Sequence, residues 1–168
     1  MGTGAYAECM TSAQSKYGGA KVVFPPPFVF LGLSVIGAVA HRLEPLELPL
    51  GFWWCAAIGA LVAGAGLYMV LSARVRFVRS GQDPAPWRPT PVLLVEGIYG
   101  RTRNPMYLGI TLFQLGLGVA LGNGWIAALA PLGLAIVHVL AVRAEEAYLE
   151  ERFGESYLHY TASVRRYL

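Results

Sequence analysis

Charge is scarce in this sequence: only 14% of its 168 residues are Asp, Glu, Lys or Arg, while 55% are apolar. A water-soluble domain of this length carries more charge on its surface, so a soluble globule is excluded. Cysteine is almost lacking. Cys9 sits in a polar stretch and Cys55 in an apolar one, which leaves no disulfide framework and no paired metal-ligand spacing. Histidine is equally sparse, and His138, within an apolar run, reads as a packing residue rather than a metal ligand because no second His or Cys stands at ligand spacing. The net charge of +3 is not gathered into a basic stripe on a polar helix, which argues against a nucleic-acid surface. The first 21 residues lack the hydrophobic core and cleavage pattern of a secretory signal. Neither Gly64 and Gly66 nor Gly116 and Gly118 follow a strand, so neither pair is a nucleotide-binding loop.

The sequence instead offers long apolar runs between clustered charges. A bilayer core of roughly 30 Å needs about 20 helical residues, and the blocks have that scale. The first runs from Phe24 to about Leu43, opened by Pro25, Pro26 and Pro27, and reaches spanning length if His41 and Arg42 snorkel to an interface. The second runs from about Leu48 to Ala73, with Trp53 and Trp54 as an interfacial belt and Gly59, Ala63, Gly64 and Gly66 small enough to admit a neighbouring helix. The third and fourth, Pro105 to Leu121 and Trp125 to Val142, flank Gly122-Asn123-Gly124 and form a tight hairpin, with Gly118 and Gly122 at small-xxx-small spacing and Gln114 as an interhelical hydrogen-bond donor. The expected fold is therefore all-α, a polytopic membrane helical bundle of about four transmembrane helices. Residues 1–23 form a flexible tail and 24–168 the domain. Every Lys and Arg except Arg42 lies in the tail, the 74–103 segment or the C-terminal region, which places both termini in the cytoplasm.

One stretch organises the rest. The polar segment from Arg74 to Arg103 has a proline-rich centre, Asp83 to Pro91, unfit for helix interior or central strand. It ends at Asn104-Pro105, a helix-start signal in which Asn accepts first-turn amide protons and proline has none to orphan. Arg101 and Arg103 stand just before that start and, with the helix dipole, favour an anion. Tyr107 falls in the first turn. The hairpin then returns the chain to the same side, where Glu145 and Glu146 leave the last span. Glu145 shares a stripe with His138, Ala141, Tyr148 and Leu149 and is expected to face inward; Glu146 shares its side with Arg143 and Glu150 and is expected to be more solvated. A carboxylate at the lipid boundary is costly unless paired, and so is a candidate for function. The chain continues helically to Phe153, is capped at Gly154, and ends in a short amphipathic helix from Glu155 to Leu168. Its Tyr157, Tyr160, Val164 and Leu168 line one stripe suited to the membrane surface or to covering the polar segment. Read without any resemblance, the arginines are equally well topology determinants and the glutamates a solvated face, as in a non-catalytic four-span packing protein.

The run Leu93-Leu-Val-Glu-Gly-Ile-Tyr-Gly-Arg-Thr-Arg-Asn-Pro-Met-Tyr-Leu-Gly109, followed at a hairpin's distance by Glu145-Glu146, Phe153-Gly-Glu-Ser-Tyr157 and Tyr160, resembles the isoprenylcysteine carboxyl methyltransferase and phospholipid methyltransferase superfamily of integral-membrane enzymes, over roughly Pro84 to the C-terminus. The resemblance implies S-adenosyl-L-methionine as cofactor in a cytoplasm-facing pocket, held by the part of the chain from about 84 to 168. It implies Val92, Leu93 and Leu94 as a strand-like pocket wall, Tyr99 as an aromatic contact, and Asn104, Pro105, Met106 and Tyr107 as the cofactor motif; Arg103, by its charge, is a further cofactor-binding candidate that would compensate the methionine carboxylate. It gives Glu145 and Glu146, with Arg143, as candidate catalytic residues. Asn104 stands where eukaryotic members place histidine, a change shared with bacterial-type relatives. Ala141 stands where the carboxyl methyltransferases place an arginine one turn before the glutamate, and Arg143 lies on another face, which disfavours a prenylcysteine carboxylate. The implied activity is methyl transfer to a membrane lipid or amphiphilic small molecule with a carboxylate, amine or thiol head group, in a bacterial inner membrane. An NADPH-dependent membrane reductase of related architecture is the alternative enzyme, disfavoured by the lack of a nicotinamide-binding segment after the third span.

Overall fold

The computed structural model of the protein describes residues 20, 22, 24–83 and 88–167. Cys9, most of the expected 1–23 tail, residues 84–87 of the proline-rich centre and Leu168 lie outside them. Within the described residues the chain is helical and has no strand beyond an isolated bridge between Glu47 and Asn123. Four helices build the bundle: α1 (Pro26–Leu43), α2 (Phe52–Arg79), α3 (Pro105–Ala120) and α4 (Gly124–Val137). α4 runs on through a π-helical turn (His138–Val142) into α5 (Arg143–Phe153), and α6 (Glu155–Ser163) follows. A 3₁₀ turn, Gly97–Gly100, interrupts the polar segment before α3.

Three of these helices are long and apolar enough to cross a membrane: Pro26–Leu43, Phe52–Arg79 and the continuous Gly124–Phe153, with mean hydropathies of 1.4, 1.9 and 2.2. α3 is apolar but has 16 residues, about 24 Å at the helical rise and short of a full hydrocarbon core. It is held between α2 and α4, and Leu108, Thr111, Gln114, Gly116 and Gly118 on it are buried. α1 packs mainly against α4 and touches α3. Large apolar side chains such as Val35, Ile36, Val39, Leu61, Leu71 and Val139 point outward and are more than half bare, which in water would be a liability and in lipid is the required surface.

Lipid tails are as apolar as leucine, so helices in a bilayer associate through close packing. The α2–α3 seam shows how. A Cβ on Gly116 would stand 2.2 Å from the Ala63 backbone nitrogen, one on Gly59 2.2 Å from that of Ala120, and one on Gly66 2.4 Å from the Gly109 carbonyl oxygen. Gly64, expected in the same seam, faces open space, because it lies off the stripe shared by Gly59, Ala63 and Gly66. In the hairpin, a Cβ on Gly118 would stand 2.4 Å from the Ala127 backbone nitrogen, whereas one on Gly122 would meet nothing, and Gly122 instead takes φ +64 in the turn. Gln114 donates across the hairpin to the Ile126 carbonyl at 3.2 Å.

Boundaries differ from expectation in two places that matter. α2 continues six residues past Ala73, so Arg74, Arg76 and Arg79 are helical and lift off the apolar stretch on its last turns. α6 stops at Ser163 rather than reaching the C-terminus. Residues 164–167 become a strap because their carbonyls find better partners than another helical turn offers. Arg165 accepts from the Arg103 backbone N–H at 3.0 Å, and Arg166 from the Thr102 hydroxyl at 3.1 Å.

Candidate functional site

The bundle has two unlike ends. At one, the α1–α2 connection meets the α3–α4 turn. At the other, the end of α2, the polar segment, the start of α3, α5 and α6 surround a cavity that opens to the outside. Leu93, Leu94, Tyr99, Arg103, Asn104, Pro105, Met106, Tyr107, Glu145 and Glu146 all line it. Val92 does not; it is exposed, and the Val92–Leu94 wall is irregular chain rather than strand. Arg143 is exposed and outside the cavity.

Asn104 precedes α3 as expected, but its side chain makes no cap. Its Nδ2 instead donates to the Arg166 carbonyl at 3.3 Å, and its backbone N–H donates to the Thr102 hydroxyl at 3.3 Å. The residue thus ties the strap to the mouth of α3. Pro105 at the first helical position lacks the amide proton that a cap would satisfy. One turn in, the Tyr107 hydroxyl donates to Glu145 Oε1 in a short hydrogen bond. This contact joins the first turn of α3 to the chain just beyond the π-helical turn.

That π-helical turn explains the placement of both glutamates. One extra residue per turn shifts the register of everything after it, and such turns recur at functional sites. Ala141 and Val142 are both buried there, against Phe30, Val137 and Tyr107. Beyond it Glu145 and Glu146 both face the cavity from different sides, Glu145 toward Tyr107 and Glu146 toward the strap. The expected solvation of Glu146 is therefore corrected. Its side chain is 17% exposed and is held between Arg103 at 3.4 Å and Arg166 at 2.8 Å. Arg166 engages both carboxylate oxygens, through Nε at 2.9 Å and Nη2 at 2.8 Å, the bidentate geometry that makes arginine–carboxylate pairs strong. Glu146 in turn raises the Arg166 pKa, chiefly through those hydrogen bonds. Arg103 Nε is buried without a hydrogen-bond partner among the described residues.

Tyrosines complete the walls. Burial, followed by the Glu145 carboxylate and Tyr160, drives the Tyr99 phenol far above its ordinary range. Burial and then Glu146 push Tyr157 up to about 12, against an opposing pull from Arg103. Burial likewise raises Tyr160. All three are neutral at physiological pH, serving as hydrogen-bonding and stacking surfaces rather than charges. Tyr157, Tyr160 and Val164 pack on Leu93, Leu149 and Phe153, and the Tyr160 hydroxyl donates to the Tyr99 carbonyl at 2.7 Å. α6 thus covers the polar segment, one of the two placements its stripe allowed.

Sequence reasoning passed over Arg166, Phe77 and Tyr167. Phe77 lines the cavity and meets Tyr99 edge to face at 5.9 Å. Tyr167 holds His138 at 3.0 Å, which satisfies the histidine as packing required. A signal for Arg166 existed: a basic pair at 165–166 against the acidic pair at 145–146. Nothing local said which members would meet.

Comparison with known proteins gives the same direction. The phospholipid methyltransferase family profile matches residues 54–156. A stretch of 73 residues, 44% of this chain, is 37% identical to the protein-S-isoprenylcysteine O-methyltransferase of Schizosaccharomyces pombe and covers 31% of that protein. A stretch of 65 residues, 38% of this chain, is 34% identical to an uncharacterized protein of Haemophilus influenzae and covers 100% of it. The chain thus spans about a third of the yeast protein's length.

Proposed function

Since this chain belongs to the phospholipid methyltransferase family, we propose that it transfers a methyl group from S-adenosyl-L-methionine to the head group of a lipid-like acceptor at a membrane boundary. The observation that carries the reading is the cavity where the Tyr107–Glu145 pair and the Arg103–Glu146–Arg166 cluster meet beside apolar helices. The donor set fits the cofactor. Arg103 keeps a buried Nε, without a partner among the described residues, for a carboxylate, and Tyr99 and Phe77 offer aromatic faces. S-adenosyl-L-methionine, when bound, supplies an electrophilic methyl on a sulfonium.

The protein's part is to hold the acceptor in line and keep water out. α6 closes the cavity on one side, and the apolar helices receive an acyl or prenyl tail on the other. An amine head group fits best. An amine that takes up a methyl group must lose a proton, and Glu145 would accept it as general base while Tyr107 fixes the carboxylate. A carboxylate acceptor would need a facing cation of its own, but Arg103 is assigned to the cofactor carboxylate, Arg166 is engaged with both oxygens of Glu146, and Arg143 is outside the cavity. The arginine-rich end faces the cytoplasm in this reading, supported by the charge bias, in a bacterial inner membrane.

Isothermal titration of the detergent-purified protein with S-adenosyl-L-methionine and its demethylated product tests the proposal. Saturable binding of both is expected. Absence of saturable binding to folded protein would overturn it.

A further inference from the structure

The 3₁₀ turn has a second face. Tyr99 turns into the cavity, whereas Gly97 and Ile98 line a separate groove along the end of α2, with Tyr68, Ser72, Arg76 and Arg101, of about 800 Å³ with its open side. Tyr68, Ser72 and Arg76 recur every fourth residue and so form one stripe of α2, running from the apolar stretch to its arginine-bearing end. The groove is thus aromatic and lipid-facing at one end and cationic at the other. Gly97 builds the cationic end: its φ is +64, and a Cβ there would stand 2.5 Å from Arg76 Nη2, so the missing side chain seats the guanidinium. Neither arginine has a buried or close ion-pair partner among the described residues. Arg76 has one contact, at 3.6 Å, with Glu96, whose side chain is 84% exposed, an arrangement worth little in water. Arg101 is exposed and has no ion pair among the described residues. The anion expected before α3 therefore has two candidate places, Arg103 in the cavity and Arg101 here, on opposite sides of one turn of chain.

We propose that this groove binds the phosphate of a membrane phospholipid, between Arg76 and Arg101, with the acyl chain lying along Tyr68 and Val75 on the outer face of α2. Charge complementarity chooses the occupant. Two guanidiniums beside the end of a spanning helix, Arg76 held only by a long, exposed ion pair and Arg101 by none among the described residues, recognise a phosphodiester, and the exposed apolar stripe below them suits its chain. Net-anionic phosphatidylglycerol should be held in preference to phosphatidylcholine, whose ammonium offsets the phosphate. The site does not depend on the methyl-transfer reading, since binding is read directly.

Native mass spectrometry of the full chain, released from nanodiscs of mixed phosphatidylglycerol and phosphatidylcholine, tests this. The wild type should retain phosphatidylglycerol selectively. The double substitution Arg76→Ala with Arg101→Ala should lower that retention roughly 10- to 30-fold, as expected for two interfacial arginines, and Arg76→Lys with Arg101→Lys should keep most of it. Equal retention by wild type and the alanine double variant would overturn the proposal. So would displacement of the lipid by millimolar inorganic phosphate, which would mark a site for free anion. Should the alanine variant fail to fold, the wild type alone decides: its preference for phosphatidylglycerol must fall as ionic strength rises, and a salt-independent preference refutes the site.

Discussion

At one end of the bundle the Trp125 indole N–H donates to the Glu44 carbonyl at 2.8 Å, the Gly124 N–H to the Leu46 carbonyl at 2.9 Å, and the Ile126 N–H to the Asn123 side chain at 3.0 Å. At the other, Tyr107 meets Glu145, two arginines flank Glu146, and a buried guanidinium nitrogen has no hydrogen-bond partner among the described residues. The first end is uncharged at its contacts and closes two connections onto each other. The second gathers charge next to apolar helices around a cavity. Buried charge costs stability unless paired, so its concentration at one end indicates work beyond holding the helices together. The same residue type shows the contrast: Asn123 caps α4, whereas Asn104, equally well placed before α3, makes no cap and reaches for the strap.

The largest difference between the ends should come from Glu145→Gln, which keeps the shape and removes the base. Turnover with an amine acceptor should fall by about 10²-fold or more, with cofactor affinity retained, while Trp125→Phe at the opposite end leaves turnover unchanged. Glu146→Gln should be milder in turnover, because its carboxylate organises Arg103 and Arg166 rather than taking the proton. The reverse ranking in a steady-state assay would break the assignment. Next comes Arg103→Ala, which should weaken S-adenosyl-L-methionine binding by roughly 10- to 100-fold, the scale of a charge-assisted hydrogen bond, measured by titration. Unchanged affinity in folded protein would show that the unpartnered Nε is not a cofactor contact.

How far these ends were legible follows from locality. The apolar blocks and the hairpin were readable because hydropathy and Gly122-Asn123-Gly124 act over neighbouring residues, and the hairpin alone brings Tyr107 near Glu145. The π-helical turn was not readable: nothing in His138–Val142 distinguishes it from ordinary apolar helix, yet it sets where Glu146 points. The strap was hidden for another reason. Its partners, Thr102, Asn104 and Arg103, lie some sixty residues away, and helix propensity alone extends α6 through them. Asn104 failed as a predicted cap because its side chain is oriented by a nonlocal bond, Nδ2 donating to the Arg166 carbonyl, and its oxygen accepts from no first-turn amide.

Stability effects should fall on the closed end. A Cβ on Gly124 would stand 2.6 Å from the Leu46 carbonyl oxygen and 2.7 Å from the Leu46 side chain, so Gly124→Val must push the α1–α2 connection away from the hairpin turn. Overpacking of this kind costs about 1–3 kcal/mol. Thermal unfolding in detergent should shift downward, while cofactor affinity, set at the far end, stays as in the wild type. Loss of affinity in parallel with stability would mean that the two ends are coupled through the helices.

The smallest effect separates the two asparagines. Asn123→Ala removes the acceptor for the Ile126 N–H, an orphan donor of the first turn of α4, and should cost about 1 kcal/mol, as helix caps generally do. Asn104→Ala removes no cap. It takes away one of the two donors to the Arg166 carbonyl, while Thr102 keeps the other, so α3 should start where it does now and global stability should change less than for Asn123→Ala. The local consequence is a looser strap, read as faster amide exchange in residues 164–167 with α3 protection unchanged. If Asn104→Ala instead frays the first turn of α3 as much as Asn123→Ala frays α4, the side chain does cap in the membrane, and the asymmetry between the two ends loses its clearest marker.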